Sequence, residues 1–198
     1  MKTFLAFIGL LAIVVGIGAA VFFFGGFYSV AGTAEEPQMV NWALVQVRQA
    51  SIARHAQDRP PMELNNADLV KEGARAYGNR GCVNCHGAPG VEWQKFSEGL
   101  TPDPPDLKEI VEHREPRELF WVIKNGINMT GMPSFAKIEV PDREIWTIVA
   151  FIKKLPNVAD DEYKAWTAPA MPAPAAPAPA APAPPAPAPT APAPGGNP

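Results

Sequence analysis

Both ends of this chain are barred by composition from building a soluble core, so whatever folds must fold from the middle. From Phe4 to Phe24 every residue is apolar or glycine, and Gly25, Gly26, Phe27 and Tyr28 prolong the run without a charge. At the other end, 13 of the 24 prolines fall at or after Pro169, and no charged side chain follows Thr167. Alternating Ala and Pro cannot bury a core and favours extended polyproline II structure, so residues 157–198 are expected to be a Pro/Ala-rich disordered tail. The formal charge of −3 over 198 residues gives no hint of a nucleic-acid partner.

The N-terminal run is long enough, at about 1.5 Å per residue, to cross a hydrocarbon layer of roughly 30 Å. A cleavable signal sequence is the alternative, since Lys2 supplies a basic start and Gly32-Thr33-Ala34 loosely resembles a cleavage site. A signal's apolar region spans only ~7–15 residues, however, and this one is longer. Residues 1–30 are therefore read as a transmembrane anchor. Lys2 stays inside while Glu35 and Glu36 follow the span, which places the remainder outside the cytoplasm. Residues 31–63 read as a membrane-proximal helix and linker. The helix is expected over Pro37–Arg59, with Val40, Leu44 and Val47 as its stripe and Pro60-Pro61 as its stop. His55 on it reads as a surface histidine.

The folded domain is expected over residues 64–156. Asn65 or Asn66 can cap a helix from Ala67 to Gly78. Pro116 suits the first position of a second helix that stops at Gly126. A third starts near Asp142 and ends by Pro156, with Ile145, Ile148, Val149 and Ile152 at i, i+3, i+4 and i+7. No stretch alternates like a strand. The fold class is thus all-α, three main helices with long loops, and so few apolar faces make a marginal core unless something fills its centre.

The two cysteines supply the candidate. Cys82-Val83-Asn84-Cys85-His86 is C-x-x-C-H, the attachment signature of haem c: two thiols add across two vinyl groups, and the adjacent histidine is held beneath the iron. A thioredoxin-like dithiol wants a βαβ pattern, and a zinc site wants further Cys or His ligands at suitable spacing; neither is present. One such motif predicts one covalent haem. The second axial ligand is expected at Met132, between Gly131 and Pro133, because a thioether in a glycine- and proline-bounded loop suits a soft ligand held over a haem face. Met129 lacks those flanks, and His113 could ligate only if its loop folded over the haem.

Taken together, residues 66–155 resemble a class I cytochrome c of the bacterial type. The matching pieces are Glu72-Gly73-Ala74-Arg75-Ala76-Tyr77, the haem motif with Gly87, Pro104-Pro105-Asp106-Leu107, Asn125-Gly126, Thr130-Gly131-Met132-Pro133, Glu144-Ile145-Trp146 and Ala150-Phe151-Ile152. The resemblance implies that the first and last helices cross, with Gly73 and Tyr77 against Trp146 and Val149. It also implies a proline carbonyl that accepts the ring N–H of His86, a role falling on Pro105 with Pro104 beside it as the alternative. Residues 28–54 resemble, more loosely, the membrane-proximal segments of anchored bacterial cytochromes. Two axial ligands close the iron to substrates, so the expectation is single-electron transfer without catalysis, in a respiratory or related chain on the periplasmic side of the inner membrane. The rivals are a haem-bearing subunit of a larger dehydrogenase or oxidase and, in a different class, a five-coordinate haem enzyme or sensor. Donor and acceptor are expected to be membrane-embedded or periplasmic redox proteins. Residues 64–156 carry 12 Lys and Arg against 13 Asp and Glu, so no strongly one-signed docking field is expected.

Overall fold

The computed structural model describes residues 1–27, 29–34 and 36–168. Among these the regular structure is helical, without strands: α1 (Lys2–Phe24), α2 (Gln38–His55), α3 (Ala67–Asn79), α4 (Cys82–His86), α5 (Leu107–Ile110), α6 (Pro116–Asn125), α7 (Asp142–Lys154) and α8 (Asp160–Thr167). The all-α expectation holds. The tail from Pro169 onward lies outside the described residues.

Helix α7 is the axis of the fold, because its sequence is apolar almost all round. The expected stripe of Ile145, Ile148, Val149 and Ile152 is buried, and so are Trp146, Thr147, Ala150 and Phe151. Such a helix must be covered on several sides. Helix α3 covers one of them, started by the Asn66 side chain, which accepts from the Asp68 and Leu69 amides at 2.9 and 3.2 Å. Its apolar residues Val70, Gly73, Ala74 and Tyr77 recur at i, i+3, i+4 and i+7 and face inward. Gly73 is where the helices touch most closely: a Cβ there would overlap the Thr147 carbonyl. The helix pair is the expected one, and the aromatic rings on it pair as follows. Tyr77 packs on Phe151, rings 5.2 Å apart, while Trp146 stacks flat on Phe120 of α6 at 4.1 Å. A one-residue step around a helix turns the side chain by about 100°, so position in a motif does not settle which neighbour it meets.

Helix α6 starts on Pro116, with Glu115 and Glu118 closing a reciprocal capping box, and stops at Gly126 as expected. It lays Leu119, Phe120 and Ile123 into the core. The Lys153 ammonium holds the turn before it, donating to the Val111 and Arg114 carbonyls at 2.7 and 3.1 Å.

Two sequence expectations need correction. Helix α2 ends at His55, short of Arg59, and its docked side is not centred on the stripe: Val40 is half-buried and Leu44 and Val47 are exposed, whereas Ile52 and Ala56 are buried. The docking face is chosen by α6 and its approach, where Arg114 donates to the Gln49 side chain at 2.7 Å and the His55 ring stacks on Trp121 at 6.1 Å. Ordered structure also runs past Pro156, into the segment expected to be tail. Helix α8 buries Tyr163 beside Phe151 and half-buries Trp166, whose carbonyl accepts from Arg75 of α3 at 2.7 Å. Eight residues are too short to read as a stable helix alone; the tertiary contact makes it one.

Candidate haem site

The attachment motif sits where the chain leaves α3. Arg80 follows the helix and pairs with Glu144 of α7, its Nε and Nη2 donating to the two carboxylate oxygens at 2.7 and 3.0 Å. Gly81 then turns through a left-handed conformation into the single turn of α4. Both thiols are free and half-buried, and Cys82 lies against the apolar core. Burial pushes the Cys82 thiol up to about 12. The chain beyond α4 is tied back by the buried Tyr77 hydroxyl, which donates to the Gly87 carbonyl at 2.7 Å, and by the Gln94 amide, which donates to the Asn84 carbonyl at 2.8 Å. Removal from water holds Tyr77 well above the usual phenol range, so it acts as a hydroxyl donor only.

His86 Nδ1 lies 3.0 Å from the Pro105 carbonyl oxygen. A carbonyl only accepts, so Nδ1 carries the proton and Nε2 keeps its lone pair. Burial draws the imidazole below its ordinary value, with the Pro105 contact pulling the other way, which keeps the ring neutral near pH 7. Of the adjacent prolines, Pro105 rather than Pro104 makes the contact.

The segment after α6 is a hydrogen-bonded loop. The Ile127 amide donates to the Met132 carbonyl at 3.2 Å, the Met132 amide to Thr130 Oγ1 at 3.1 Å, and that hydroxyl to the Ile127 carbonyl at 2.8 Å. Gly126 makes the closure possible: at φ +70° its Cα faces the backbone of Met132, Pro133 and Ser134, and a Cβ would come within 2.7–2.8 Å of it. The sequence marked Gly126 only as a helix stop. Gly131, in the same loop, faces the movable Leu100 side chain. Met132 is half-buried against the same apolar core as Cys82, whereas Met129 stands 90% exposed at a positive φ. His55 and His113 are exposed on α2 and beyond α5. Tyr77, Thr130 and Gly126 were missed as site residues because each acts through a backbone partner that only folding supplies.

This donor set fits a covalently attached haem: thiols on one turn, an imidazole whose second nitrogen is free, and a thioether in a built loop. A helical domain with these features in this order has the make-up of a class I c-type cytochrome domain, a class that transfers electrons through haem. In agreement, residues 68–152 match the family model described as cytochrome C oxidase, cbb3-type, subunit III. The match spans α3 to α7 and leaves α1, α2 and α8 outside it. No match was found among curated proteins or among solved structures.

Proposed function

We propose that this protein is a membrane-anchored, mono-haem electron carrier whose haem domain, residues 64–156 extended by α8, works outside the cytoplasm. Cys82 and Cys85 attach one haem, His86 and Met132 ligate its iron, and Pro105 orients the histidine. The observation that carries the reading is the His86–Pro105 contact, which leaves Nε2 as the only ring nitrogen able to donate to a metal. Bound in this way, haem supplies a one-electron ferrous/ferric couple. The protein's part would be to hold the imidazole of His86 and the thioether of Met132 for the iron, burial keeping the imidazole neutral and the Pro105 bond orienting it and making it electron-rich, and to bar small molecules with the Met132 loop. A carrier without catalytic turnover follows from those two closed positions.

The anchor is supported by α1, 23 residues long, whose most apolar 18-residue stretch has a mean hydropathy of 2.7 and no buried side chain. A signal sequence near the N-terminus meets the same description; mass spectrometry of the mature chain separates them, with Met1 or Lys2 retained for an anchor and a start near Glu35 for a processed protein. A second reading, that the domain is a haem subunit of a larger terminal oxidase or dehydrogenase, is favoured by the description of the matching family. Co-purification after mild detergent extraction distinguishes it from a free-standing carrier with membrane or periplasmic redox partners.

The ligand assignment is tested by paired variants. Met132→Ala is expected to abolish the thioether-to-ferric charge-transfer band, lower the reduction potential and open the ferrous iron to CO. Met129→Ala, on an exposed side chain, is expected to leave all three unchanged. The reverse pattern overturns the Met132 assignment while leaving the haem motif intact.

A further inference from the structure

Helix α2 is apolar on more than one side. The side bearing the buried Ile52 and Ala56 is docked onto the haem domain beside α6. Away from it, Met39, Trp42, Leu44 and Val47 are 80, 65, 54 and 68% exposed, crowded into the first three turns. Met39, Ala43 and Val47 recur at i, i+4 and i+8 along one stripe, with Trp42 and Leu44 on its flanks. A tightly packed domain rarely leaves such a surface bare.

Three observations select the occupant. The stripe lies at the end of α2 nearest α1, and residues 25–37 between the two helices can reach at most about 45 Å at ~3.5 Å each. No acidic residue occurs between Glu36 and Asp58, whereas Arg48 and Arg54 fall on the second half of α2, a charge suited to anionic headgroups. Trp42 is the side chain type that settles where hydrocarbon meets water. Resting on the reading that α1 is a retained membrane span, we propose that α2 lies in the headgroup boundary of the same bilayer, its Met39–Val47 stripe inserted and its arginines on anionic lipid phosphates. Because its other side is docked on the haem domain, α2 then fixes that domain at the membrane surface in one orientation.

The test uses the full haem-loaded chain in vesicles of phosphatidylethanolamine and phosphatidylglycerol. Since haem attachment consumes Cys82 and Cys85, a single introduced cysteine is the only free thiol for a nitroxide label. Labels at Met39→Cys and Val47→Cys are expected to collide more with dissolved O₂ than with a water-soluble nickel chelate, and the reference label Lys164→Cys on α8 is expected to do the opposite. A label at Val15→Cys in α1 reports the anchor independently. If positions 39 and 47 read as aqueous while position 15 reads as hydrocarbon, the inference fails and the anchor stands. If position 15 also reads as aqueous, the anchor reading fails and takes the inference with it. Protection of 39 and 47 from both relaxants means that another protein or a second copy covers the stripe, which also overturns it. Replacing phosphatidylglycerol with phosphatidylcholine is expected to shift both labels toward water; no shift refutes the role of Arg48 and Arg54.

Discussion

Tyr77 illustrates how a side chain with no obvious chemistry can hold a site together. Its hydroxyl is the buried donor to the Gly87 carbonyl, immediately after the histidine of the attachment motif. Tyr77→Phe keeps the ring contact with Phe151 but strands that carbonyl, and is expected to cost about 1–3 kcal/mol, measured by denaturant unfolding of the haem-loaded protein. Glu144 makes a pH-dependent contribution. Its hydrogen bond from Arg80, more than the countervailing burial, holds the carboxyl below the usual range. A depressed folded-state value means stability that is complete above the unfolded-state value of about 4.3 and is lost as pH falls through the lower folded one. Glu144→Gln removes that contribution, so it is expected to lower stability at pH 7, modestly because solvent screens the half-exposed pair, and to flatten the acid limb, the gap to the unaltered protein closing as pH falls below about 4.3.

Among the elements, the α3–α7 crossing and the Gly126–Phe135 loop do most to place the donors. Gly73→Val would push α3 off the Thr147 carbonyl and swing α4, which follows it directly, away from α7. Because overpacking a core costs typically ~1–3 kcal/mol and this contact is with rigid backbone, the expected result is a loss at or above the top of that range, read as reduced haem-loaded yield and a lowered thermal midpoint. Gly126→Ala adds a Cβ both at a positive φ and against the Met132–Ser134 backbone. Its expected signature is selective: a weakened thioether charge-transfer band in a protein whose helix content is unchanged. Helices α3, α6 and α7 were legible in the sequence because each carries its own start signal and apolar stripe. Helix α8 was not, since Tyr163 and Trp166 have meaning only against Phe151 and α3, and the stripe of α2 marked a helix without marking the side on which that helix docks.

For the molecule as a whole, the proposal of a covalent haem carries the expectation that the small core depends on it. A variant with both Cys82→Ser and Cys85→Ser, unable to retain haem covalently, is expected to lose cooperative thermal unfolding or to melt at a markedly lower temperature, as followed by far-ultraviolet circular dichroism. Removing residues 157–168 is expected to destabilise the haem-loaded domain as well, because Tyr163 leaves Phe151 exposed when it goes.

Covalent chemistry and local periodicity are properties of short stretches of chain, and these could be read directly: the C-x-x-C-H motif, the apolar N-terminal run, and the helix starts near Asn66 and at Pro116. Which proline carbonyl meets His86, which ring stacks on Trp146, which glycine lets the methionine loop close and which side of α2 is docked were decided by tertiary structure. Each depends on the distance between groups far apart in sequence, and such distances follow from how helices pack, which no local pattern encodes.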